Sequence, residues 1–235
     1  MAPEKRQRID QILSRFGHCS RSEARAWLAA GRVLINAQPA RSPNDRAFPR
    51  EVLVDGQPIE CPDGLLAILH KPDGYACSHD PREAPTVYEL IPERWRRRNP
   101  SVTTIGRLDR NTTGVLLFTD DGHLVQRWLS PRHKFPKLYE VTLDADLPPG
   151  LVDVFASGRF VLPGEDKPCL PAHLEVLGPR RARLELVEGR YHQVKRMFAA
   201  HGCHVQALHR SRFGPYQVED LAPGQWRLLD FPRFS

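Results

Sequence analysis

The apolar positions of the first thirty residues recur at helical spacing. Ile9, Ile12, Leu13 and Phe16 fall at i, i+3, i+4 and i+7, one face of a helix, and Gly17 ends it. Ser20-Arg21-Ser22-Glu23 then has the form of a capping box. It opens a second helix with Ala24, Trp27 and Leu28 as its apolar side and Gly31 as its stop. The period next shortens, with strands predicted over 32–35 and 51–54, the second leading into the Asp55-Gly56 turn. Beyond a turn-rich segment at 60–64, the runs 65–69 and 115–118 are of strand length and apolar throughout. Residues 73–104 read as loop with one short helical piece near 86–91. A helix is predicted over 123–129, after Asp120-Asp121-Gly122, and Ser130-Pro131 breaks it. Alternation over 138–143 puts Tyr139, Val141 and Leu143 on one strand face. Strands near 172–177 and 182–187 and a helix over 192–200, striped by Val194, Met197 and Phe198, complete the pattern. Strands outnumber helices and often adjoin in sequence, so the fold class expected is α+β with a mostly antiparallel sheet.

The chain has 235 residues, enough for one large or two small domains. Charge favours two. The first fifty residues hold ten Lys or Arg against four Asp or Glu, and the remainder holds 24 of each, so the whole formal excess of +6 lies at the N-terminus. Domains are therefore expected at 1–61 and 62–235, with the first directed at nucleic acid or another anionic surface. Arg15, Arg21, Arg25 and Arg32 surround its two helices and are the candidate RNA contacts. Arg94-Trp95-Arg96-Arg97-Arg98 interleaves an aromatic with four cations; it suits either a phosphate-and-base contact or a solvated helix end over a packed Trp. The five cysteines form no Cys-x-x-Cys pair and are odd in number, which argues against a disulfide framework. The charged N-terminus lacks a signal-peptide core and no apolar run could span a bilayer, so a cytoplasmic monomer without membrane partners is expected. His201, Cys203, His204 and His209 follow no familiar zinc spacing, and no Gly-x-Gly-x-x-Gly follows a strand. Neither metal nor cofactor is expected.

The most chemical stretch is Gly106-Arg107-Leu108-Asp109-Arg110-Asn111-Thr112-Thr113-Gly114. It has one carboxylate between two guanidiniums, two hydroxyls, and an apolar strand at its end to hold it rigidly. A lone Asp beside arginines also suits a structural ion pair, and Lys71 beside its turn is either a phosphate contact or a plain surface lysine. Gly-Arg-Leu-Asp followed by Thr-Thr-Gly resembles the catalytic motif of the pseudouridine synthases, specifically the RsuA group that modifies ribosomal RNA. Three further segments match that group in order: Leu69 to Tyr75, Lys137 to Val141, and Gly189 to Met197. The two helices and small strands at the N-terminus resemble the S4 RNA-binding domain.

The resemblance implies an isomerase that needs no cofactor and converts a uridine of ribosomal RNA to pseudouridine. It implies Asp109 as the catalytic carboxylate, Tyr139 as the ring that stacks on uracil, and Lys195 as the cation paired with Asp109. Val194 would pack against the base, Arg107 would fill the gap the flipped base leaves, and Lys71 and Arg110 would complete the substrate contacts. Asn111 stands where many relatives carry a second Asp, so a two-carboxylate glycosidase mechanism has no partner in this loop. Lys134-Phe135-Pro136 and the chain end at Ser235 look like the small-subunit type, which makes the small-subunit ribosomal RNA the expected partner. A large-subunit synthase of the same family, or a non-catalytic ribosome-assembly factor, are the alternatives.

Overall fold

In the computed structural model, which describes residues 5–130 and 135–232, three hydrophobic cores form, one before the 60–64 segment and two after it. Lys134 and Ser235, two of the residues that look like the small-subunit type, lie outside the described residues.

The first core is built by α1 (Ile9–Arg15), α2 (Ala24–Ala29) and a four-stranded antiparallel sheet. Its strands are β1 (Val33–Ile35), β2 (Gln38–Pro39), β3 (Val52–Val54) and β4 (Gln57–Pro58), in the order β2-β1-β3-β4. The helical spacing is realised: Ile9, Ile12, Leu13 and Phe16 are buried together with Ala24 and Leu28. The Ser20–Glu23 box is present as expected. Glu23 Oε2 accepts from the Ser20 amide at 2.8 Å, and Ser20 Oγ accepts from the Glu23 amide at 3.3 Å.

The second unit is a mixed sheet of nine strands. Its main path is β8-β9-β7-β10-β6-β5-β11, with two short strands, Thr103–Thr104 and Tyr216–Gln217, pairing off it. In chain order these are β5 (Leu66–Lys71), β6 (Thr112–Thr119), β7 (Lys137–Leu143), β8 (His173–Gly178), β9 (Arg181–Leu186), β10 (Val205–Phe213) and β11 (Trp226–Leu228). All pairings are antiparallel except β10 with β6, at Leu208↔Thr112, His209↔Thr113 and Arg210↔Gly114. Besides the single turn Glu93–Arg96, three helices flank the sheet: α3 (Gly122–Leu129), capped by the Asp121 carboxylate, α4 (Leu151–Ala156) and α5 (Gln193–Ala199). The burial of β7 alternates, and Lys137 joins Tyr139, Val141 and Leu143 on its buried face. Gly114 has φ +106°, and a Cβ there would collide with the carbonyl oxygen of Arg210. A glycine is what lets β6 approach β10 this closely.

The two units meet along residues 94–99. Trp95 is fully buried and donates from Nε1 to Glu60 at 2.6 Å, so it is no platform for a nucleic-acid base. The packed-Trp reading of the Arg-rich segment is the one realised. Arg98, 3 % exposed, pairs with Asp120 at 3.1 Å and donates to the Cys61 carbonyl at the same distance. The segment at 60–64 is thus pinned rather than slack. Phe16 lies under the Arg98 guanidinium, the Asn99 amide donates to the Arg15 carbonyl, and Gly17 abuts the backbone of Arg94 to Arg98.

Candidate active site

The nine-residue loop leads into β6 and lies beneath the N-terminus of α5, and the two form the wall and mouth of a cleft of about 470 Å³. Asp109 is the focus of charge there. Lys195 Nζ lies 2.6 Å from Asp109 Oδ2 and donates to Asn111 Oδ1 at 2.6 Å. His192 Nε2 lies 3.2 Å from the other carboxylate oxygen. Apart from the family motif, charge and spacing do not choose Lys195 over its basic neighbours. The fold does, because Arg190 and Arg196 both turn away to Glu165, at 2.7 and 2.6 Å.

His192 is a site residue that the sequence did not single out, although it stands three residues before Lys195, the spacing that puts two side chains on one helix face. It takes a left-handed conformation, φ 48°, as the N-cap of α5. Its ring stacks on Tyr191 with centroids 3.9 Å apart, and Tyr191 is 71 % exposed at the mouth of the cleft.

The loop is braced from below by Lys71. Its ammonium donates to the carbonyls of Pro72, Arg110 and Thr112 at 3.0, 2.9 and 2.8 Å, and the side chain is fully buried. The expectation that Lys71 contacts substrate is therefore corrected: it is neither a phosphate ligand nor a surface lysine. Burial also lowers its pKa. The Thr112 amide closes the turn onto the Asp109 carbonyl at 3.0 Å. Arg110 lines the cleft but spends two N–H groups on the carbonyls of Gly74 and Glu83, at 2.9 and 2.6 Å. Arg107 is exposed and lines the cleft from the loop, whereas Lys195 and Val194 line it from α5.

Tyr139 and Val194, 8 % and 5 % exposed, are at once core residues and cleft lining. Core and site are thus not rival places for Tyr139, since the residue belongs to both. Lys137 and Arg210 join them in the lining. Burial, then the neighbouring Arg210 charge, lowers the Lys137 pKa to about 8.

Of the four candidate RNA-binding arginines, Arg21 and Arg25 are exposed. Arg32 is held by Asp55 at 2.6 Å and lies 3.6 Å over the Trp27 ring. Arg15 lies over Phe16. Among the described residues no three His, Cys, Asp or Glu side chains converge to hold a metal. His201 turns to the Met197 carbonyl and His204 to Asp144.

A single carboxylate on a braced loop, held by a lysine and a histidine from a second element in a cleft with an aromatic wall, suits rearrangement of a nucleoside. The chain belongs to the RNA pseudouridylate synthase family, whose model matches residues 66–200, and it is an isomerase; an S4 domain matches residues 7–47. Among individual proteins it is 40% identical over 227 residues to ribosomal small subunit pseudouridine synthase A of Escherichia coli (strain K12), covering 94% of this chain and 96% of that protein. The enzyme of the same name from Yersinia pestis is 41% identical over 225 residues, covering 94% of each. A solved structure described as a pseudouridylate synthase superposes with a TM-score of 0.66 at 35% identity, covering 94% of this chain and 95% of that one.

Proposed function

We propose that this chain converts one uridine of small-subunit ribosomal RNA to pseudouridine, the target being uridine 516 of 16S RNA. The observation that carries the reading is the convergence of Lys195 and His192 on Asp109, in a chain similar over nearly its whole length to small-subunit synthases. The RNA identifies the compartment as the cytoplasm. Residues 1–61 serve as the S4-like RNA-binding domain, through Arg15, Arg21, Arg25 and Arg32, and residues 62–235 as the catalytic domain.

The uridine must first leave its stack, at a cost of roughly a few kcal/mol. Arg107, exposed at the mouth, fills the space left behind, where a guanidinium can both stack and bind phosphate. Arg110 faces the same RNA strand. Inside the cleft the uracil lies on the Tyr139 ring and against Val194. Asp109, aimed by Lys195, acts on the ribose, as nucleophile at C1′ or as base at C2′. Either route breaks the N1–C1′ bond, after which the ring turns and rejoins through C5. Atoms are only rearranged, so no oxidant or water is consumed.

Two experiments test this. Pseudouridine mapping in ribosomal RNA from cells with and without the protein should show one site lost from the small-subunit RNA; loss from the large-subunit RNA alone would overturn the substrate assignment. Asp109→Asn keeps size and hydrogen bonding but removes the group that acts on ribose. Turnover should fall below detection, with RNA affinity kept within roughly tenfold, about 1.4 kcal/mol. Equal loss of both would make Asp109 a structural residue.

A further inference from the structure

Two residues of the cleft lining each keep one buried polar atom that makes no hydrogen bond, although the Arg210 guanidinium lies 5.1 Å over the Phe213 ring. Thr112 is 1 % exposed and Arg210 2 %. Among the described residues, Thr112 Oγ1 and Arg210 Nη2 make no hydrogen bond, and both residues line the cleft. Leaving such groups unmatched is a net cost, and a native fold that tolerates it calls for a reason. Neither residue is loosely placed. Arg210 Nε donates to the Val115 carbonyl at 2.8 Å, and Thr112 is fixed through its own backbone to Lys71 and Asp109. The adjacent Thr113 makes the contrast plain, since its hydroxyl is bonded to His209 at 2.8 Å.

Lys137 is the third member. It stands two residues before Tyr139 on the buried face of β7, is 7 % exposed, and donates to the Phe135 carbonyl at 2.9 Å. An ammonium has three donors, so that bond does not exhaust it. Arg210 is the direct cross-strand partner of Tyr139. The three polar groups therefore belong to the deep part of the cleft around the tyrosine ring, away from the exposed arginines at its mouth.

We infer that Thr112, Lys137 and Arg210 read the Watson–Crick edge of the flipped uracil, the two cations donating to O2 and O4 and the Thr112 hydroxyl accepting from N3–H. The inference rests on the proposed substrate reading and adds to it the basis of base choice. Uracil presents acceptor, donor, acceptor along that edge. Of the three side chains only Thr112 can accept, so it falls to the central N3–H. Cytosine presents an amino group at position 4, which would set donor against donor and leave a buried cation unmatched. A backbone phosphate is the poorer occupant of the buried floor, because the exposed Arg107 and Arg110 of the same cleft offer it cations without loss of its water.

The same edge explains how one site can hold the base before and after it turns. A half-turn about the N3–C6 axis exchanges N1 with C5 and O2 with O4, and leaves N3 in place. The pattern of acceptors and donor is unchanged by that operation, so the floor grips both orientations alike. When the N1–C1′ bond breaks, its electron pair stays with the ring, spread over N1, O2 and O4, where Lys137 and Arg210 stabilise it. The C5–C1′ bond then uses the ring's electrons, C5 gives up its proton, and N1 gains one, which restores neutrality.

The test is kinetic and thermal together. Wild type, Thr112→Val and Thr112→Ser are compared by release of the C5 hydrogen from labelled ribosomal RNA, using whichever subunit RNA the wild type modifies. Failure of the substrate assignment is thereby read from the wild type alone. Thr112→Val removes an unbonded hydroxyl, so the melting temperature should hold or rise, whereas kcat/KM should fall about tenfold or more, the worth of a hydrogen bond of about 1.4 kcal/mol. Thr112→Ser should restore it to within about threefold. A target 3-deazauridine, which lacks N3–H, should slow the wild type but add nothing to the Val variant, as for two halves of one contact. A Val variant within about twofold of wild type overturns the inference. So does a Val variant that melts markedly lower, because its hydroxyl would then have a partner in the free protein, or one that adds its full defect to that of 3-deazauridine.

Discussion

Lys71 is a cation surrounded by carbonyl oxygens, with no carboxylate among its hydrogen-bond partners. In the sequence it is a lysine beside a turn, because nothing local tells that the chain folds back to place residues 110 and 112 over it. Lys195 was legible and His192 was not, for the opposite reason: a family motif marks the first, while the second owes its contact to an unusual backbone at the head of α5. Lys137 carries a prediction at this scale. Its pKa is about 8 in the folded protein, against an ordinary 10.5. Below pH 8 both folded and unfolded chains hold the proton, and the cost of burying it is felt in full. Between 8 and 10.5 the unfolded chain binds more protons, so stability rises with pH across that window. Urea unfolding of wild type and Lys137→Met at about pH 7.5 and about pH 10 should show wild type gaining on the variant at the higher value. A constant difference would mean that Lys137 is not charged at the cost of burial.

At the scale of elements, most of the fold was legible. Apart from α4, which no periodic stretch marked, the helices α1, α2, α3 and α5, the alternating β7 and the paired β8 and β9 follow from periodicity. Among the strands that periodicity does not reveal, β11 and the two-residue β2 and β4 are short; the costly omission is β10, the longest in the sheet and a neighbour to both β6 and β7. Its sequence gives neither an apolar run nor a clean alternation, since Gln206 and Ala207 are exposed in succession and a buried position is filled by Arg210. A site residue on a core strand spoils the pattern by which core strands are recognised. The β10–β6 junction depends on Gly114. Gly114→Ala would combine an unfavourable φ with a collision against the Arg210 backbone, and should cost about 3 kcal/mol or more. Urea unfolding reads this directly; a loss under about 1 kcal/mol would mean that the strands can part without harm.

For the molecule as a whole, the boundary at 61 and 62 has an energetic side that composition could not reveal. Glu60 takes the hydrogen bond of the buried Trp95 indole, so a cut on either side of it gives different proteins. Removing residues 1–59 should leave a stable remainder. Removing 1–61 should leave one weaker by about 1–3 kcal/mol, the cost of an unmatched buried donor. Both should bind RNA less tightly, with the log–log salt slope falling by about 0.7 to 0.9 for each phosphate that the shortened protein no longer neutralises. Melting curves and binding titrations at several salt concentrations check the two halves of this expectation. Equal stability of the two truncations, or an unchanged slope, would overturn the respective half.

Gly17 is the point where the absence of a side chain joins two bodies. With α1 seated against residues 94–98, the arginines around the N-terminal helices and the carboxylate of Asp109 keep a set separation, as do the jaws of a caliper. On the proposed reading, in which those arginines hold RNA and Asp109 meets the target uridine, an RNA gripped at one jaw offers the other only those nucleotides that its own folding places at that span. A uracil reader at the floor of the cleft cannot tell one uridine from another, and the fixed span can. Selection of a single site then becomes a measurement of length, made by the protein on a folded RNA, with the base checked only at the end.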